Sequence, residues 1–254
     1  MIKTNYLKIV AVLTISASFA LPQSTAFAAG TGDDPRPIED VPTPEQIEAS
    51  KEQSKFLNGV IDDLPSEDTE GILKAMDLGE KEILSVRGFE QETSYWCGPA
   101  TVKQVLHYLN GSSDSQSDYA DELGTTRDGT VFSIVDNILN DNQNERTYRY
   151  YEYEEDDYLA WQIFMIKSVD RGIPAVLDLK ISPRTLPNYE STVAGHILNT
   201  SGYDAQGDLR DDPRIRLTDP FDQGNRGRTI GNRWYDMDSI FEANQDHFRG
   251  AVIY

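Results

Sequence analysis

One cysteine, three histidines and a run of aspartates are the residues here whose types and spacing bear on chemistry. The cysteine lies in Gln91-Glu-Thr-Ser-Tyr-Trp-Cys97-Gly-Pro-Ala100. A polar, aromatic loop precedes it, and Pro99 suits the first turn of a helix. Cys97 is therefore expected at a helix N-terminus, where the dipole and the backbone N–H groups favour the thiolate, the nucleophilic form of the side chain. A nucleophilic cysteine needs a base. His107 lies ten residues further along the same expected helix, about 15 Å away along its axis, and is out of reach. His247 sits in a polar C-terminal stretch beside Arg249. Both are expected to be surface or half-buried histidines. His196 follows Gly195, begins the apolar run Ile197-Leu198 and precedes an expected turn at Ser201-Gly202-Tyr203-Asp204. A strand terminus there would aim its imidazole at the cysteine, so His196 is the candidate base.

The base needs an orienter that fixes its tautomer and supports the imidazolium. In Arg214-Ile-Arg-Leu-Thr-Asp219-Pro220, Ile215 and Leu217 share one strand face, and Asp219 continues that parity inward. Asp222 is its rival; Asp211 and Asp212 belong to a turn. Gln91, six residues before Cys97, is placed to donate its amide to an oxyanion beside the Cys97 backbone N–H.

The elements that must position these residues follow from pattern and punctuation. The Cys97 helix is expected to run to about Leu109, with Val102, Val105, Leu106 and Leu109 on one buried face and Asn110-Gly111 as the stop. Further helices are expected at 117–123, 130–139 and 158–170. Strands are expected at 83–86, 147–154, 174–179, 193–199, 215–218 and 251–254. Tyr148, Tyr150, Tyr151, Tyr153 and Tyr158 are read as strand residues shared between core and solvent. Helices first and an antiparallel sheet after them make an α+β domain.

Composition bounds the rest. The chain has 254 residues and a formal net charge of −20, with 43 Asp+Glu against 23 Lys+Arg. So acidic a balance excludes a nucleic-acid binder and docking on anionic lipid. A lone cysteine excludes an intrachain disulfide, a cysteine-rich zinc site and an iron–sulfur cluster. Asp219, Asp222 and Asn225 fit no EF-hand spacing, so no metal and no cofactor is expected. Lys3 and Lys8, an apolar stretch from Ile9 to Leu21 and Ala26-Phe-Ala28 form a secretory signal peptide, residues 1–28, cut after Ala28. No stretch is long and apolar enough for a membrane span, and a secreted, extracellular protein is expected. Residues 29–85 carry 15 Asp/Glu, 5 Lys/Arg and five prolines. They read as an acidic linker or a pro-segment, not needed for the core. Thr43-Pro-Glu-Gln46 starts a helix there that runs to about Leu57, and a second short helix is expected from Glu67 to Leu78. Residues 86–254 are the expected catalytic domain.

The motif Gln91…Cys97-Gly-Pro-Ala100, with Ala-Gly-His196-Ile-Leu and Leu-Thr-Asp219-Pro, resembles the papain-clan cysteine peptidases. It is most similar to the branch related to the double-glycine leader peptidases of bacteriocin exporters. The resemblance spans residues 86–254. It implies a papain-like fold, with the catalytic cysteine at a helix N-terminus packed on an antiparallel sheet. It implies Cys97 as nucleophile, His196 as base, Asp219 as orienter and Gln91 as oxyanion donor, acting on a peptide or protein substrate through an acyl-enzyme. Leader peptidases of that branch are usually fused to membrane spans and an ATPase. This chain shows no G-x-x-x-x-G-K-[ST] phosphate loop, so the catalytic group carries over and the leader-peptide substrate does not. A transglutaminase-like or amidase enzyme would use the same Cys, His, Asp order. An inactive binding protein on the same fold is the remaining alternative.

Overall fold

The computed structural model describes residues 40–62, 78–155, 157–205, 213–221 and 229–254. The expected signal peptide, Asp211, Asp212, Asp222, Asn225 and nearly all of the helix expected at 67–78 lie outside the described residues.

Local signals account for most helix ends. Helix α1, Pro44–Asp62, starts on the expected capping box. Gln46 N donates to Thr43 Oγ1 at 3.2 Å, and Thr43 N donates to Gln46 Oε1 at 2.8 Å, so two end N–H groups are satisfied reciprocally. Helix α2, Cys97–Asn110, has Pro99 in its first turn and stops at Gly111, whose φ of 74° is the left-handed conformation that glycine adopts freely. Helix α3, Gln116–Glu122, opens on a second capping box between Ser115 and Asp118. A 3₁₀ turn, Phe132–Ile134, leads into α4, Val135–Asp141. Helix α5 spans Tyr158–Asp170 and α6 spans Met237–Gln245.

The strands are β1 (Lys81–Ile83), β2 (Tyr150–Glu152), β3 (Val176–Ile181), β4 (Val193–Asp204), β5 (Arg214–Asp219), β6 (Gly231–Asp236) and β7 (Ala251–Ile253). They form one antiparallel sheet in the order β2-β7-β3-β4-β5-β6, with β1 added to β4. Alternation along the strands gives each face its own core. Val176, Ile197 and Ile253 pack with Val102, Val105, Leu106 and Phe132 from the α2–α4 side. Their neighbours Leu177, Leu198 and Val252 pack with Trp161, Met165 and Ile240 from α5 and α6. The α+β expectation is met, with helices on both faces.

Three local expectations are corrected, and two elements are added. No turn follows His196: β4 runs on to Asp204, because its second half pairs with both β5 and β1. Gly202 serves that approach, since a Cβ there would lie 3.0 Å from the Glu82 carbonyl oxygen and 3.2 Å from Arg216 Cβ. Four of the five tyrosines are not shared with solvent. Tyr148, Tyr150, Tyr151 and Tyr153 are all buried, and Tyr158 opens α5 rather than lying on a strand. His247 is neither superficial nor half-buried, at 2% exposure. Strand β6 and helix α6 were not anticipated. In β6 only Tyr235 is buried, so the strand has no alternation to announce it and is defined by its pairing with β5.

The acidic N-terminal segment is also more engaged than its composition implies. Leu57 is 1% exposed within the core. Gln46 Nε2 donates to the Ser133 carbonyl oxygen at 2.8 Å, Ser50 Oγ accepts from Glu152 N at 3.1 Å, and Gln53 Nε2 donates to Tyr254 OH at 3.2 Å. Helix α1 thus lies along β2 and α5.

Candidate active site

Cys97 is the first residue of α2 and is buried. No side-chain cap occupies that helix start, so the anion-favouring end of the helix is not neutralised by a carboxylate or hydroxyl of its own. Gly98 is required by packing. A Cβ on it would come within 2.8 Å of Thr130 Cβ, and Thr130 is buried and bonded to Thr125 Oγ1 at 3.0 Å. One turn after Cys97, Thr101 Oγ1 donates to the Ile197 carbonyl oxygen at 3.0 Å. The start of α2 is thereby fixed against β4 at the residue next to His196.

His196 and Asp219 meet across the sheet end. Both have no exposed surface, and His196 Nε2 lies 2.8 Å from Asp219 Oδ1. A carboxylate only accepts, so Nε2 carries the proton of this bond. His196 Nδ1 makes no hydrogen bond among the described residues and is the nitrogen left for proton exchange. Asp219 keeps the parity of Ile215 and Leu217, all three fully buried. A carboxylate buried so completely needs several donors. Oδ1 also accepts from Phe221 N at 2.9 Å, and Oδ2 accepts from Tyr189 OH at 2.8 Å. Tyr189 and Phe221 stack with centroids 5.0 Å apart, and both rings present an edge geometry to His196, at 5.9 and 6.2 Å. The imidazole is thus screened from water on that side. Burial first, then the Asp219 charge and the hydrogen bond to it, hold the Tyr189 phenol well above the usual tyrosine range, and Cys97 adds to the same effect.

Gln91 is buried at 2% exposure, and its backbone N–H donates to the Pro220 carbonyl oxygen at 2.9 Å. Its loop therefore sits against the residue that follows Asp219. The side-chain Nε2 donates to the Thr93 carbonyl oxygen at 2.8 Å. Two further glutamines hold this loop. Gln104 accepts from Phe89 N at 2.9 Å and donates to Asn199 Oδ1 at 2.8 Å; Gln116 accepts from Glu92 N at 3.0 Å and donates to the Glu90 carbonyl oxygen at 2.7 Å. The structure so brings His196, Asp219, the Gln91 loop and the Cys97 helix start to one end of β4 and β5. His107, edge-on to Phe89 at 5.2 Å, and His247 stand outside this group. Sequence reasoning missed Tyr189, Gln104, Gln116 and Thr130. A buried glutamine inside the apolar Val102/Val105/Leu106 region was the one readable hint, and it pointed to Gln104.

Among the described residues no group of His, Cys, Asp and Glu side chains could hold a metal ion, and no helix is long and apolar enough to cross a membrane.

Three solved structures are similar in fold. A double glycine motif protease from an AMS/PCAT transporter, solved with the leader peptide, is 16% identical, with a TM-score of 0.43 over 68% of this chain and 91% of that one. Xylellain, a cysteine protease from Xylella fastidiosa, is 13% identical, with a TM-score of 0.46 over 76% and 91%. The recombinant stem bromelain precursor is 9% identical, with a TM-score of 0.41 over 83% and 89%. No curated protein matches the chain. Residues 83–247, well over half of the chain, match the Peptidase_C39 like family. The stretch takes in the Gln91, Cys97, His196 and Asp219 motifs together, and with that match the chain belongs to the Peptidase_C39 like family and is a cysteine-type peptidase.

Proposed function

We propose that the protein is an exported peptidase that hydrolyses peptide bonds through a Cys97–His196–Asp219 triad and a thioester acyl-enzyme. The observation that carries this reading is the buried His196–Asp219 pair at 2.8 Å, standing beside the start of the Cys97 helix. Cys97 Sγ, as thiolate, attacks the scissile carbonyl carbon. The oxyanion that forms is held by the Gln91 side-chain amide and the Cys97 backbone N–H. His196 as imidazolium gives its Nδ1 proton to the leaving amine, the C–N bond breaks and a thioester remains. Water then loses a proton to His196 and attacks the thioester carbon. Collapse releases the acid and restores the thiolate–imidazolium pair. Asp219 holds the ring by Nε2 throughout. The signal peptide over residues 1–28 supports export, and protein recovered from the medium should begin at Ala29.

The deciding experiment is peptide-library cleavage by the processed chain, with Cys97→Ala and His196→Ala as controls. Cleavage that both substitutions abolish is expected. Cleavage that survives Cys97→Ala overturns the nucleophile. Incorporation of amines into a glutamine substrate in place of hydrolysis would move the enzyme to acyl transfer.

A further inference from the structure

The Asp219 carboxylate has more donors than an orienter of His196 requires, and one of them reaches the oxygen that His196 does not use. Tyr189 OH donates to Oδ2 at 2.8 Å, while Oδ1 takes His196 Nε2 and Phe221 N. The phenol is fixed in turn. Its ring is 3% exposed, stacks on Phe221 and lies edge-on to His196. We propose that Tyr189 is a positioning residue for the peptidase reaction, which acts by locking the plane of the Asp219 carboxylate and tempering its charge; this rests on the reading of Asp219 as the orienter of His196.

The physical argument has two parts. A carboxylate held only through Oδ1 can rotate about its Cβ–Cγ bond, and rotation would carry Oδ1 out of line with the imidazole. A donor on Oδ2 closes that freedom. The second part is electrostatic. Every donor on the carboxylate spreads its charge and lowers its basicity. Asp219 so tempered supports the imidazolium without drawing its proton away, which leaves His196 able to release the Nδ1 proton to a leaving amine. The phenol stays a donor because burial and the neighbouring carboxylate oppose its ionisation.

Tyr189→Phe removes the hydroxyl and keeps the stacked ring, so the fold is retained. In metal sites, loss of the outer partner of a ligating imidazole costs about 10- to 100-fold, and the lower end of that range is expected for a hydroxyl that acts through Asp219. We expect kcat to fall about tenfold with KM little changed. The pH profile of kcat should change too, since it reports the groups that exchange the proton during the reaction. The downfield proton resonance of the His196–Asp219 hydrogen bond should move as well, a readout that needs no substrate. In the Asp219→Asn background the same substitution should add less than about twofold, since Tyr189 acts through Asp219. Wild-type kcat, pH profile and proton resonance in Tyr189→Phe would overturn the proposal, as would a full additional loss in the Asp219→Asn background. Wild-type activity of Asp219→Asn itself would reject the reading of Asp219 as orienter. Collapse of Asp219→Asn beside a wild-type Tyr189→Phe would reject Tyr189 alone.

Discussion

Gly98 sets the position of the thiol as firmly as any polar contact does. The side chain it lacks would run into Thr130, which is buried and bonded to Thr125, so neither neighbour yields cheaply. Gly98→Ala is therefore expected to lift the start of α2 off the loop before the 3₁₀ turn. Overpacking of this kind costs about 1–3 kcal/mol, and a displacement of about 1 Å at a reacting atom can cost about 100-fold in rate. The prediction is a modest drop in urea midpoint with a far larger drop in kcat. A variant with both quantities unchanged would remove this contact from the account. At this scale the sequence was informative where chemistry interrupts pattern. Cys97 stands between a polar loop and a Gly-Pro helix start, His196 heads an apolar run, and Asp219 continues an apolar strand parity. Tyr189 lies in an irregular stretch between β3 and β4, and no periodicity marks it. Its role depends on a partner thirty residues away.

The elements divide in the same way. Helix starts and stops obey neighbours within four residues, and the Thr43/Gln46 box and the Gly111 stop were legible for that reason. The docking of α1 was not. Its partners Ser133, Glu152 and Tyr254 lie 87 to 201 residues away, and a charged, proline-bearing segment carries no local sign of them. Composition alone argued that such a segment buries little; it overlooked how much one well-placed leucine does. Leu57 at 1% exposure joins the core under α5. Leu57→Ala should then cost about 2–5 kcal/mol, the usual range for a buried leucine. An undocked helix would register almost nothing. The site is spared in either case, since α1 borders β2, with β7 and β3 between it and β4. A normal kcat with a lowered unfolding midpoint is the expected result. Full stability in Leu57→Ala would mean that α1 does not pack on the domain in solution.

Across the whole molecule, a buried charged cluster joins the two ends of the described chain. Asp40, ahead of α1, accepts from Phe132 N and Ser133 N, each at 3.0 Å, and pairs with Arg249 just before β7. Arg249 also pairs with Asp178 of β3, and His247 Nδ1 lies 3.5 Å from the same Asp178 carboxylate. Burial dominates the balance at His247 and lowers its pKa. Asp178 and Asp40 oppose that effect, and Arg249 and Lys180 add to it. Its sign fixes a pH dependence. The unfolded chain protonates this imidazole near the ordinary value of about 6.5, whereas the folded chain resists until lower pH. Between those two values the unfolded state binds more protons, so stability rises with pH there. The contribution is complete above about pH 6.5 and is lost as pH falls through the window below it, with a slope of at most about 1.4 kcal/mol per pH unit. Denaturant melts of the native protein and of His247→Asn, taken from pH 7 down to pH 5, should separate the two. The native protein should lose stability more steeply than the variant as pH falls. Two parallel curves would show that His247 titrates alike in the folded and unfolded chains, and would take the imidazole out of the buried cluster.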